Sequence, residues 1–479
     1  MTPSAVGSLR VLYVGTLDDG GGAASAARSL LHGVRARGLE SWMAVGRKTS
    51  DDPHIVVLPD DNRTGYRLSG YAAVQRALGK WAGLHPQYGW GFLSRSLRLA
   101  THPGALTAQI AGAEDFEFPG SFDILNLMPR RPDVLHCHNL HGGFFDLRAL
   151  SWLSHQVPTA LTLHDSWLLT GHCAHSFDCD RWTNGCGSCP DLSIYPAIRR
   201  DATARNWTRK REIYGRSRLY VTTPSNWLMD RARQSMLWPS VALSRVIPNG
   251  VDLSTFKPGS RDEARRELGL PAANQIVLLM SGRHDAPWTD AHTLNGAVDI
   301  IAELNPSTMF IAVGDDTNRI VGRHAQVRTV PYERDPHRLA AYYRAADVYL
   351  HCARAATCPL SILEALACGT PVVAREVGGI REQVRSIDSP MPATGILVGQ
   401  ANPLLLARAV IALLDDGDLS RKLGEHAARD AQARFDRTAQ VTAYLDWYGT
   451  IIDDWKTHVR VDRKPAPDCA ARPVGLAVD

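Results

Sequence analysis

No run of eighteen or more apolar residues occurs in this 479-residue chain, so no segment of it qualifies as a membrane-spanning helix. The N-terminus also lacks the basic stretch followed by an apolar core that marks a secretory leader, and we expect a cytoplasmic protein. No repeat of fixed period is visible, which argues against repeat architectures. Net charge is only +4, too small a surplus to argue for nucleic acid as a partner. One sign of charge is missing locally. Residues 62–113 hold no Asp or Glu, while Arg63, Arg67, Arg76, Lys80, Arg95 and Arg98 are interleaved with Tyr66, Tyr71, Trp81, Tyr88, Trp90 and Phe92. Such a mix could lie on an anionic membrane surface, but it is read first as a solvated basic helical excursion that covers its own domain.

What is present is a globular composition, 44% apolar and 21% charged. The length exceeds one ordinary core and suits two domains. The nine cysteines, in a reducing compartment, are expected as thiols or metal ligands rather than disulfides.

Along the chain, "RVLYV" at residues 10–14 reads as a strand and is followed by the glycine-rich "GTLDDGGG". Beyond it Ala23, Ala27, Leu30, Leu31 and Val34 recur at helical spacing, so the glycines occupy a strand-to-helix turn. "SWMAVG" is a second strand, and "DVLHCHN" and "TALTLHD" are two more, with the helical "FFDLRALSWLSHQ" between them. The rhythm is that of a parallel sheet covered by helices. Ligands of such sheets bind at the carboxyl ends of strands, where His136, His138, His164 and Asp165 fall. "VTTPSNWLMDRA" and "VIPNGVDLSTFKPG" read as a connector. After it "QIVLLMSGR", "TMFIAVGDD", "VRTVPY", "DVYLHC" and "TPVVA" repeat the same architecture. Two helical stretches, "LSRKLGEHAARDAQARF" and "TAQVTAYLDWYGTIIDDWK", precede a tail expected to be disordered.

The segments "HCHNLHGGFF", "TLHDSWLLTGHCAH" and "CDRWTNGCGSCP" follow one another in this order. With the two strand series they make the chain, from Arg10 to about Trp455, resemble the retaining GT-B glycosyltransferases of family 4, and within them the colanic-acid and exopolysaccharide type. The resemblance implies an α/β fold of two Rossmann-like parallel-sheet domains facing across a cleft. Residues 1–240 would form the acceptor-side domain, with the basic excursion 62–113 and a Cys-rich loop at 172–190. Residues 241–435 would bind the nucleotide sugar, 436–456 would form a helix crossing back to the first domain, and 457–479 would be the tail. The implied reaction moves a sugar from a nucleoside diphosphate sugar to a glycan or lipid-linked acceptor. No cofactor is required for catalysis in this class.

Such a transfer needs a diphosphate holder, a grip on ribose and sugar, and groups that steady an oxocarbenium-like transition state. Gly20, Gly21 and Gly22 can let backbone N–H groups approach an anion at a helix start. In "SGRHDAPWTD" Arg283 matches the family's diphosphate arginine, but Trp288 and Thr289 stand where a lysine is usual, followed by Asp290 for glycine. Cys358, Pro359 and Leu360 are expected as the first turn of a phosphate-facing helix. Glu364, among Ile362, Leu363, Ala365 and Leu366, matches the glutamate that accepts from the ribose diol. The family's other glutamate, eight residues earlier, is replaced by Ala356. His164 matches the strand-end histidine near the transferred sugar, and His136, His138, His141 and Asp165 are acceptor-side or supporting candidates.

Cys173, Cys179, Cys186 and Cys189 lie within seventeen residues and end in C-x-x-C, a set that suits a structural zinc, with free thiols as the alternative. Thr289 and Ala356 favour a second reading, a degenerate, non-catalytic paralogue that binds a glycan or a partner. A sugar phosphorylase of the same fold is a third, marked by use of inorganic phosphate.

Overall fold

The computed structural model describes residues 9–59, 107–108, 110–281, 288–314 and 325–459. Most of the basic stretch 62–113, Arg283 and the tail from 460 lie outside the described residues.

Two parallel sheets organise the chain. The first contains β1 (Arg10–Leu17), β2 (Glu40–Arg47), β3 (Ile55–Val57), β4 (Val134–Cys137), β5 (Thr159–Thr162), β6 (Leu219–Thr223) and β7 (Val241–Val246), in the order β3-β2-β1-β4-β5-β6-β7. The second contains β8 (Ile276–Ser281), β9 (Met309–Gly314), β10 (Gln326–Val330), β11 (Val348–His351), β12 (Val372–Arg375) and β13 (Gly395–Val398), in the order β10-β9-β8-β11-β12-β13. The expected two-domain α/β fold is therefore present. The strand β7 still belongs to the first sheet, so the first domain runs past the limit expected at 240.

Alternation along each strand feeds two cores per sheet. Leu12 and Val14 of β1 enter one apolar cluster with Leu135 and Cys137, whereas Val11 and Tyr13 enter another with Val134. Ile276 and Leu278 of β8 likewise separate from Val277 and Leu279. The helix Arg437–His458 lies against the first sheet, with Val441, Tyr444, Trp447, Tyr448 and Ile451 packed beside Tyr13 and Leu30. Its approach is close. A Cβ on Gly33, in the helix Gly22–Arg35, would stand 2.4 Å from Val441 Cγ2.

In each sheet the strand order reverses between two neighbours, β1 and β4 in the first and β8 and β11 in the second. Crevices open at the carboxyl ends of strands at such switch points. The turn after β1, the residues after β4 and β5, and the segment after β11 are placed there.

Candidate active site

The first turn is tied down by a buried acid. Asp18 accepts from Thr49 N at 2.7 Å, Thr49 Oγ1 at 2.9 Å and Ser50 N at 2.8 Å. Burial opposes its charge, but the hydrogen bonds from Ser50 and Thr49 outweigh it and hold the carboxyl below its ordinary range. Gly20 and Gly21 then take φ of 86° and 106°, a region in which side chains are strained. A Cβ at Gly20, Gly21 or Gly22 would meet nothing within 4 Å, so this face of the turn is open. The helix Gly22–Arg35 begins here, which puts the positive end of its dipole beside the opening. Asp19 accepts from Gly20 N at 2.9 Å and pairs with Arg28 at 3.1 Å.

The histidines divide into three environments. His136, in β4, is fully buried and bonds Tyr448 Oη at 2.7 Å and Thr162 Oγ1 at 2.6 Å. Burial pushes its pKa down to about 3. It is a core link between the sheet and the helix Arg437–His458, and so no acceptor contact. The reason is strand alternation: His136 points to the face that this helix covers.

His138 and His164 form a pair at the ends of β4 and β5, with Nδ1 of His138 at 2.8 Å from Nε2 of His164 and the rings stacked at 17°. Burial pushes His164 down to about 4 against the charge of Asp165, which keeps the ring neutral near pH 7.

His141 belongs to a separate chain of contacts. Its Nε2 lies 2.8 Å from Asp165 Oδ2 and its Nδ1 lies 3.3 Å from Tyr195 Oη. Asp165 Oδ1 also accepts from Trp167 N at 2.9 Å. Burial works against the Asp165 charge, but His141 and that N–H hold its pKa below the usual range. Tyr195 was not marked by any sequence pattern, because its role depends on the fold of the loop that carries it.

That loop holds Cys173, Cys179, Cys186 and Cys189, and all four are free thiols. Among the described residues no group of three or more His, Cys, Asp or Glu is placed to hold a metal ion, so the expected zinc staple is not formed. Burial pushes the Cys173 and Cys186 thiols up to about 12 and about 11, which keeps them protonated. Cys186 Sγ instead accepts from Gly171 N at 3.3 Å, and Cys189 Sγ lies 3.4 Å from His172 Nε2. Indoles hold the loop. Trp182 donates to Cys179 O at 3.0 Å, Trp207 donates to Trp182 O at 2.8 Å, and Arg231 lies 4.5 Å over the Trp182 ring.

The same loop reaches the second domain. The Trp288 ring meets His175 and Tyr195 edge-on, with centroids 6.0 and 6.2 Å apart, and the Arg354 guanidinium lies 4.7 Å over Phe177. An aromatic contact between the domains thus forms at Trp288, one of the two positions at which the resemblance implies a lysine. Thr289 bridges Ala353, and Asp290 caps the helix Ala291–Leu304 through Thr293 N at 3.2 Å while pairing with Arg375 at 2.7 Å. Asp290 in place of glycine is therefore accounted for by structure.

In the second domain the helix Leu360–Ala367 starts at Leu360 with Pro359 at its N-cap, so Cys358 lies before the first turn rather than in it. Cys358 O accepts from Asn249 Nδ2 at 3.1 Å, and Pro359 O accepts from Gln383 Nε2 at 3.0 Å. Glu364, one turn in, accepts from Tyr343 Oη at 2.9 Å, and burial raises its carboxyl to about 7 against that bond. Ala356 sits in the core with its carbonyl accepting from Gly379 N at 3.1 Å. A Cβ on Gly378 would stand 2.0 Å from that oxygen, so the segment is pressed onto the glycine pair. Tyr332, half exposed, has its phenol raised by burial and by the charges of Asp19 and Glu364. The domains are joined nearby by Glu382, which accepts from Asn226 N at 2.8 Å and Trp227 N at 2.7 Å.

Among known families, residues 20–255 match the model described as Glycosyltransferase Family 4 and residues 260–430 the model described as Glycosyl transferases group 1. D-inositol 3-phosphate glycosyltransferase 1 of Catenulispora acidiphila is 37% identical over 183 residues, 35% of this chain and 42% of that protein. The putative colanic acid biosynthesis glycosyl transferase WcaC of Escherichia coli is 27% identical over 263 residues, 52% of this chain and 62% of that protein. The chain thus spans about half the length of the curated relatives it matches. Of solved structures, HepE of Anabaena in complex with UDP and glucose shares the fold with a TM-score of 0.57 at 17% identity, covering 92% of this chain and 100% of that one. Among the described residues no helix is long and apolar enough to cross a membrane.

Proposed function

The chain belongs to the family 4 glycosyltransferases, and from that premise we propose that it moves a sugar from a nucleoside diphosphate sugar to a glycan or lipid-linked acceptor with retention of configuration, in the synthesis of an exopolysaccharide or another cell-surface glycan. The observation that carries this reading is the placement of three parts at the carboxyl ends of strands beside the two switch points: an open glycine turn after β1, His164 after β5, and the helix bearing Glu364 after β11. The turn suits a diphosphate, Glu364 a ribose diol, and His164 a sugar hydroxyl. The same fold holds UDP and glucose in HepE. The acid-free, basic and aromatic stretch 62–113 supports an acceptor presented at an anionic membrane surface.

Calorimetric titration with UDP, GDP, ADP and dTDP is expected to show binding of at least one, weaker than in relatives because the lysine position holds Trp288 or Thr289. No binding of any of them at millimolar concentration would sink the proposal. Ala356 favours the second reading, a non-catalytic paralogue, since a methyl group there accepts no hydrogen bond. Binding of a nucleotide without hydrolysis or transfer from any of a panel of nucleotide sugars would select it.

Glu364 gives the binding a pH signature. Its carboxyl is raised to about 7, so it is mostly protonated at pH 6 and mostly ionised at pH 8. The ionised form is the better acceptor for two hydroxyls. Nucleotide affinity is therefore expected to rise with pH across this window, by at most about tenfold per unit. Glu364→Gln should weaken binding and flatten the profile. A profile that keeps its slope in the variant would assign the titration to another group.

A further inference from the structure

The His138–His164 pair contains more than proximity. A 2.8 Å contact between two neutral imidazole nitrogens carries one proton on the line between them, held by one ring or the other. The choice is settled by the far side of His138. That ring is 3% exposed, and its Nε2 has no hydrogen-bond partner among the described residues. A buried N–H without an acceptor is rarer than a buried lone pair without a donor. The His138 proton therefore sits on Nδ1 and is donated to His164 Nε2. A neutral His164 that accepts on Nε2 must carry its own proton on Nδ1.

We propose that His138 is a positioning residue that locks His164 in the Nδ1–H tautomer, so that His164 offers a hydrogen-bond donor, rather than a base, to a hydroxyl oxygen of the transferred sugar. The lock is rigid. The His138 backbone N–H is bonded to Val14 O at 2.8 Å, and its ring is wedged between Tyr13, with centroids 6.0 Å apart, and His136, at 4.4 Å. Burial depresses the pKa of His138, and that of His164 to about 4, so neither ring carries a charge that would reverse the donor assignment near pH 7. His164 as a residue is half-buried at the end of β5, on the side where ligands of parallel sheets bind. The proposal rests on the transfer reading for the ligand and, for the tautomer, on the geometry of the pair with both rings neutral.

Two substitutions in the full-length chain and one spectrum test it. His138→Asn keeps a side-chain N–H near the position of Nδ1, whereas His138→Leu keeps the bulk without a donor. The Leu variant is expected to lose about 100-fold in turnover with KM for the donor within about twofold, and the Asn variant to retain most of the wild-type turnover. Histidine-selective 15N labelling of the wild-type protein reads each ring's tautomer directly, with Nδ1–H expected on His164. An Nε2–H signal on His164, an Asn variant no better than the Leu variant, or a Leu variant as fast as wild type would each overturn the proposal. The spectrum holds even where the Leu variant does not fold. Wild-type protein without transferase activity would instead overturn the transfer reading, and the spectrum would still decide the histidine pair.

Discussion

His164→Ala is expected to lower turnover by about two orders of magnitude or more while leaving nucleotide affinity nearly unchanged. The separation follows from position. His164 lies at the end of β5 in the first sheet, whereas Glu364 and the helix Leu360–Ala367 belong to the second. An N–H held against a sugar hydroxyl fixes the orientation of the transferred sugar and hence of its anomeric centre toward the acceptor, so its removal misplaces the reacting atoms and falls on the rate. The neutral ring is the working form. With its pKa near 4, His164 is uncharged at every pH above about 5, and its own contribution to a pH–rate profile is a fall only as pH drops through that value. An imidazolium there would oppose an oxocarbenium-like transition state. Initial rates of transfer or donor hydrolysis, with calorimetry on the same variant, check both halves. Unchanged turnover in a folded His164→Ala variant would move the role to His141, since His136 is fixed in the core by Tyr448 and Thr162.

The strands that bracket the site were readable because parallel strands buried on both faces are short apolar runs, and "RVLYV", "TALT" and "VYLH" lie where the runs predict. Glycines before an apolar-periodic stretch likewise identified the turn after β1. Elements near the junction were less legible. β6, the helix Asn226–Arg233 and β7 were hidden in a stretch whose Pro, Asn and Gly content reads as connector, and β13 carries only Gly395–Val398 between loops. The histidines show the limit of one-dimensional reading most clearly. His136 and His138 are two residues apart, but one is locked to Tyr448 and the other to His164, and only the tertiary position of the helix Arg437–His458 separates their fates. The cysteine spacing shows the same limit. Whether four thiols meet depends on the path of the loop, which turns left-handed at Phe177, Cys186 and Ser188, with φ of 46°, 58° and 47°, and among the described residues no three metal-binding side chains are placed to hold an ion. Nor did any pattern mark Tyr195 or Tyr343, whose hydroxyls meet partners 54 and 21 residues away.

The largest loss of stability is expected at Lys210, a residue that lies outside every motif. Lys210, on the helix Thr203–Tyr214, is fully buried, with Nζ donating to Glu114 Oε1 at 2.9 Å, Trp167 O at 2.9 Å and Thr170 O at 3.1 Å, and lying 3.8 Å over the Trp167 ring. Burial raises the Glu114 carboxyl and lowers the Lys210 ammonium, in each case against the attraction of the partner. Desolvation therefore outweighs the pair's own attraction, so the pair adds little net stability while the loss of one member is severe. Lys210→Met leaves a buried carboxylate and two carbonyls without their donor, and about 3–5 kcal/mol of unfolding free energy should be lost in urea titration. Adding Glu114→Gln removes the stranded charge and is expected to recover part of that loss, a coupling a double-mutant cycle reads directly. The site should respond as well. Trp167 N donates to Asp165, and the carbonyls of Trp167 and Thr170 are the ones that Lys210 holds, so the ammonium fixes the segment that orients the Asp165–His141 contact. The Lys210→Met/Glu114→Gln protein, where folded, should then show lower turnover than wild type with nucleotide binding retained. A Lys210→Met variant destabilised by less than about 1 kcal/mol would mean that the ammonium is not the group holding this segment in place.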